Sequence, residues 1–153
     1  MRANIAALMK AISGLLLLVL TAGEAVACTC VPPSTRTALE QADTVFLGKI
    51  TSLKILAPNN PGSAVLVDFQ VSAVWKGRVT EHFRMDSIIE TTYCEGFFRS
   101  DLVLGKQLLV FANRARSGFK YVYTTNICTL TGLAERRRDT LQELGHGEAP
   151  RKE

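Results

Sequence analysis

Val65-Leu66-Val67-Asp68-Phe69-Gln70-Val71-Ser72-Ala73 sets an apolar residue at every odd position, while Asp68, Gln70 and Ser72 take even ones. A period of two predicts a half-buried β-strand. Trp75-Lys76-Gly77 closes that strand, and Val79 to Met85 opens the next. Upstream, the turn-forming cluster Ala57 to Ser63 separates it from Thr44-Val45-Phe46-Leu47-Gly48-Lys49-Ile50, a run rich in β-branched and aromatic residues. Downstream, Gln107 to Ala112 predicts a buried strand after the turn Leu104-Gly105-Lys106. Ser117-Gly118 divides it from Phe119 to Thr124, so the pair predicts a hairpin with a somewhat long loop. Phe69, Phe111 and Tyr121 are the expected aromatic core.

Helical signals lie only at the flanks. Ser34 or Thr35 can cap a short helix ending at Asp43, with Ala38, Leu39 and Ala42 as its apolar side. After Cys128, the residues Leu133, Arg137, Leu141 and Leu144 fall at helical spacing, with Thr131 as candidate cap and Gly145 as stop. Arg136-Arg137-Arg138 is expected to be a solvated face of that helix, and the polar tail 146–153 is expected to fray. The fold class expected is mainly β: a small OB-fold-like five-stranded β-barrel with a short N-terminal helix and a C-terminal helix.

The first residues have the layout of a secretory signal peptide. Arg2 and Lys10 precede the apolar run Leu15 to Leu20, and Ala25-Val26-Ala27 offers a small-residue cleavage site. Cleavage there makes residues 1–27 the signal, 28–145 the domain and Cys28 the mature N-terminus. The expected location is secreted, either extracellular or periplasmic, with no transmembrane segment in the mature protein, because the apolar run is too short for a span. A lipoprotein signal also ends in cysteine, so Cys28 is alternatively a lipid anchor. The whole chain's formal charge of +4 falls to +3 without Arg2, Lys10 and Glu24 of the signal, a mild basicity that permits weak attraction to anionic glycans or membranes and names no partner.

All 4 cysteines follow residue 27, an even number in an oxidising compartment, which implies two disulfides. A Cys28–Cys30 ring would be small and strained, so each of these two is expected to reach Cys94 or Cys128. Zinc sites usually take paired C-x-x-C units, which this spacing lacks. An enzyme is the weakest class. The 2 histidines, His82 and His146, form no H-E-x-x-H motif, and no serine sits in a nucleophile elbow. His82 is expected at an exposed strand position.

Cys28-Thr29-Cys30-Val31-Pro32-Pro33 at a mature N-terminus resembles the opening of the tissue inhibitors of metalloproteinases, whose inhibitory domain is a netrin-like OB-type barrel. Ala42 to Phe46 with Gly48-Lys49 resembles the family's first strand, and Trp75-Lys76-Gly77 its aromatic-Lys-Gly turn. Cys94-Glu95-Gly96-Phe97-Phe98-Arg99-Ser100, Thr124-Thr125 and Leu133 to Arg137 resemble later segments. The family's third disulfide and its second domain have no counterpart here, and the short chain looks like a bacterial relative.

The resemblance implies the pairs Cys28–Cys94 and Cys30–Cys128. It also implies that the α-amine and carbonyl of Cys28 chelate the catalytic zinc of a target metalloendopeptidase. Thr29 would enter the pocket beside the metal, Cys30, Val31 and Pro32 would lie along the cleft, and Thr92 and Tyr93 would form a second ridge. The protein would be a monomer with no cofactor or metal of its own and no nucleic-acid partner. The alternative is a non-inhibitory netrin-like binding module of the cell envelope, anchored through Cys28.

Overall fold

The computed structural model describes residues 30–56, 63–89, 94–117 and 119–152. Its elements are α1 (Thr35–Gln41), β1 (Thr44–Ile55), β2 (Ala64–Lys76), β3 (His82–Ile88), β4 (Gln107–Ser117), β5 (Lys120–Thr124), β6 (Gly132–Leu133) and α2 (Arg138–Leu144). The five longer strands form one antiparallel path in the order β3-β2-β1-β4-β5, and β6 pairs with the start of β4. The sheet curls into a half-barrel, as the mainly β reading expected. Register shifts in the β1–β2 ladder help to bend it. Gly48 permits close packing in the core: a Cβ there would stand 3.1 Å from the Phe46 ring and from Phe69.

Two apolar layers explain the sequence patterns. One lies inside the half-barrel and includes Phe46, Val65, Val67, Phe69, Met85, Leu108 and Val110. The other lies between the sheet and the helices, built from Val45, Leu109, Phe111, Ala38 and Ala42 with Leu141 and Leu144 against it. β1 and β4 are central and covered on both faces, so their apolar residues run consecutively. β2 is covered on one face and alternates. The rings of Phe69, Phe46, Phe83 and Tyr123 follow one another edge to face at 5.3, 5.2 and 4.9 Å, carrying the core from β2 across to β5. This aromatic chain brings β3 and β5, the two ends of the path, together.

α1 starts where Ser34 accepts a hydrogen bond from the Thr37 N–H at 3.2 Å. At its other end, Lys76 Nζ donates to the carbonyls of Leu39 and Glu40, both at 2.8 Å. Positive charge at a helix C-terminus is favourable for the unpaired carbonyls there.

The C-terminal third departs from expectation. Leu133 belongs to β6, the chain then makes a single 3-10 turn, and the helix begins only at Arg138. Thr131 caps nothing; it is buried, with its hydroxyl committed to Phe111. The arginine run is solvated as expected at Arg136 and Arg138, but Arg137 is half-buried, and only Arg138 belongs to the helix. Arg136 Nη1 pairs at 3.1 Å with Asp101, which is 5% exposed, and Arg137 Nη2 donates to the Thr131 carbonyl at 3.2 Å.

The tail does not fray between Gly145 and Arg151. β3 pairs with β2 only as far as Gln70, leaving an open edge beyond it. Glu148 takes that edge by exchanging main-chain bonds with Val74 at 2.8 and 2.9 Å. Arg151 donates to the Val79 carbonyl and accepts from the Glu81 N–H, while Trp75 Nε1 donates to the Gly145 carbonyl. Tyr121 is a further correction. It is 62% exposed because β1 pairs with β4 only through Ala112, and the β4–β5 hairpin runs on beyond the core. That hairpin is paired down to Ser117 and Lys120, tighter than its sequence suggested.

Candidate functional site

Cys30, at the start of the described chain, is bonded to Cys128, with Cα atoms 5.1 Å apart. The crosslink joins residues 98 apart in sequence. By chain entropy, a loop of that size restricts the unfolded state by about 4.7 kcal/mol. Val31 follows with 88% of its surface exposed, and Pro32 is exposed as well. Among the described residues, no ladder holds this segment. Proline stiffness, the disulfide and the cap at Ser34 set its course. Beneath it runs a groove of about 270 Å³ lined by Pro33, Ala38, Phe111, Asn113, Asn126 and Thr129.

The platform carrying Cys128 is built from hydroxyls. β4 is paired with β6 at Leu108–Leu109 and with β5 from Asn113 onward, which leaves a gap at Phe111. Thr131 Oγ1 accepts from the Phe111 N–H at 2.9 Å, and Thr125 Oγ1 donates to the Phe111 carbonyl at 2.9 Å. These buried side chains replace the missing strand partner, so the polar groups of Phe111 are satisfied. Asn126 Oδ1 then accepts from the Cys128 N–H at 2.9 Å, an Asx-type turn that fixes the cysteine's direction.

Cys94 reaches the same platform from the other side. Its carbonyl accepts from the Ile127 N–H at 3.0 Å, and Glu95 bridges to Asn126. Cys94 is itself disulfide-bonded and holds a positive φ of 64°. That conformation costs a non-glycine residue about 1–2 kcal/mol. Gly96 is required next: at φ 91°, a Cβ would overlap the Ile88 carbonyl. Phe97, buried and bonded to that same carbonyl, locks the turn. Asn126-Ile127-Cys128 is thus a single short support to which both the Cys30 and the Cys94 segments are tied.

No family model and no curated protein matches the chain.

Of the residues expected in the site, Cys30, Val31, Pro32, Cys94 and Cys128 are brought to this one end of the half-barrel. Cys28, Thr29, Thr92 and Tyr93 lie outside the described residues, as does the Cys28 end of the expected Cys28–Cys94 pair. Sequence reasoning missed Asn126 and the roles of Thr125 and Thr131. Their spacing around Cys128 looks like ordinary strand and turn chemistry, and only the gap in the β4 ladder gives them a role. Among the described residues, no group of three or more His, Cys, Asp or Glu side chains is placed to hold a metal ion. None of their helices is long and apolar enough to cross a membrane.

Proposed function

We propose that this protein is a secreted inhibitor of zinc metalloendopeptidases that acts through its mature N-terminus. The observation that carries the reading is the convergence of the Cys30 and Cys94 segments on Asn126-Ile127-Cys128, with the exposed, unladdered Val31-Pro32 beside it. Chain ordering before contact lowers the entropy lost on binding, and a fixed wedge is suited to entering a cleft. The signal-like sequence of residues 1–27 and the Cys-x-Cys-Val-Pro-Pro opening support the same reading.

A catalytic zinc keeps one coordination position for water. In this reading the neutral α-amine and the carbonyl oxygen of Cys28 form a five-membered chelate on the protease's metal and displace that water. Thr29 fills the adjacent specificity pocket, Val31 and Pro32 lie along the cleft, and Thr92 and Tyr93 supply a second ridge. The zinc belongs to the target; this chain brings no metal or cofactor.

The test is to add one alanine before Cys28, or to acetylate its amine. Either change turns the ligand into an amide while leaving Cys30–Cys128 and the sheet alone. Inhibition of a susceptible zinc metalloendopeptidase should vanish with the melting temperature unchanged. For the unmodified protein, inhibition should weaken as the pH falls toward about 6, below the usual α-amine pKa of roughly 7.7–8.0, after correction for the protease's own titration. An extended form that inhibits as well as the native one overturns the reading and leaves the netrin-like binding module in its place.

A further inference from the structure

β4 outruns the sheet. Its first half, through Ala112, is paired with β1, whereas Asn113 to Ser117 pair with β5 in a ladder of their own. A two-stranded ribbon has little stability by itself and is commonly retained for what its tip touches. At this tip Phe119 is fully exposed, and Tyr121 is largely so. Scattered exposed apolar residues are ordinary, but here two aromatics sit together at the end of a projecting arm.

The arm is also cationic. From Leu102 to Ala134 the sequence contains no Asp or Glu, while Lys106, Arg114, Arg116 and Lys120 fall within that span. Lys106 is paired with Glu135 at the base of β4, away from the arm. The Asp43 carboxylate accepts from the Arg114 main-chain N–H. The Arg114 guanidinium instead lies 3.9 Å above the Tyr121 ring. Lys120, next to Phe119, is exposed.

We infer that the β4–β5 hairpin is a docking arm for an anionic lipid surface, with Phe119 entering the headgroup boundary and Lys120 and Arg114 meeting lipid phosphates. Interfacial segments combine an apolar wedge with basic flanks, and tyrosine favours the level of the headgroups. A purely polyanionic partner would use the cations and gain nothing from a bare phenyl ring. Single-stranded nucleic acid stacks several successive bases on a row of open rings, whereas Arg114 covers one face of Tyr121 and leaves Phe119 as the arm's one bare ring. One aromatic wedge with a few charges gives weak, reversible attachment, suited to placing a soluble domain near a membrane without fixing it there.

The test mixes the purified full mature chain with vesicles of phosphatidylglycerol and phosphatidylcholine, and separately with phosphatidylcholine alone. The expected result is salt-sensitive co-sedimentation with the anionic vesicles only. Phe119→Ser and Lys120→Glu should each weaken it by roughly tenfold or more, with melting temperatures unchanged because both positions are exposed. Phe119→Trp should retain binding and show a blue-shifted emission on anionic vesicles, read against the constant signal of Trp75. Equal binding to neutral vesicles, or none to either, overturns the inference. So does a Phe119→Ser variant that binds like wild type, or an indole whose emission moves with heparin or an oligonucleotide but not with lipid. The N-terminus plays no part in this assay, so its outcome is independent of the inhibitor reading.

Discussion

The segment Cys30–Pro33 and the segment Gly145–Arg151 are both short, irregular and rich in polar or proline residues, yet they are held in opposite ways. The first is fastened by one covalent bond, and its backbone makes no ladder among the described residues; Val31 and Pro32 are exposed. The second has no crosslink; it lies along the open edge of β2 and gives its main-chain groups to Val74, Val79 and Glu81. An exposed edge invites pairing with another chain, and the tail covers it. Covalent fastening fixes a segment while leaving its surface available, whereas ladder fastening uses the backbone to close a surface. The contrast separates a presenting end from a sealing one.

The sharpest way to break that contrast is Cys30→Ser. It should cost about 4.7 kcal/mol of unfolding free energy in urea titrations, by loop entropy, and should abolish protease inhibition along with it. Next is Thr131→Val, which keeps the shape but removes the acceptor of the buried Phe111 N–H. A loss of about 1–3 kcal/mol is expected, read by thermal unfolding, and inhibition should weaken because the Cys128 platform loosens.

Glu148→Pro addresses the sealing end. Proline deletes the N–H that Glu148 donates to the Val74 carbonyl, for about 1 kcal/mol. Amide exchange at Val74 should accelerate while inhibition stays at the wild-type level. If that variant inhibits poorly, the two ends are not functionally separate.

The smallest effect belongs to the exposed outer face of β2 and β3. Arg84 grips Asp68 with two bonds, at 2.6 and 3.1 Å. The hydrogen bond from Arg84 holds the Asp68 carboxyl below its ordinary value, against an opposing cost of burial. A depressed carboxyl contributes stability above its unfolded pKa, near 3.9, and loses that contribution as the pH falls through the lower folded value. Asp68→Asn should therefore lower the melting temperature slightly near neutral pH, with the gap closing in acid. Solvent screening keeps it small. A gap that persists below the folded value would mean that packing, rather than charge, is responsible.

How much of this was legible depended on where each residue's partner sits. The Val65–Ala73 strand announced itself because its partners are water on one side and core on the other, which leaves a period of two. Ser34 announced the start of α1 because a cap acts over three residues. Leu133, Leu141 and Leu144 misled for a definite reason. Leu133 enters the layer inside the half-barrel, and the other two enter the layer under the helices, so their helical spacing spans two different environments. The tail was illegible because its attachments are main-chain bonds, which any residue except proline can make. The ridge of Thr125 and Thr131 was hidden in the same way: a threonine in a β-rich protein gives no sign that it stands in for a strand. Tyr121 alternated correctly, but its sequence could not show that β1 stops short of it.

The long reach of these closures has a kinetic side. Asp43 with Arg114, Val74 with Glu148 and Cys30 with Cys128 each unite positions remote in the chain, and none can form from a local fragment. Folding rates fall as contacts become less local, into the range of about milliseconds to seconds for β-barrels of this kind. Throughout that interval the edge of β2 beyond Gln70 stands open, waiting for residues far downstream. The nascent domain is therefore most vulnerable to self-association late in its folding, and the seven-residue stretch from Gly145 to Arg151 sets when that danger ends.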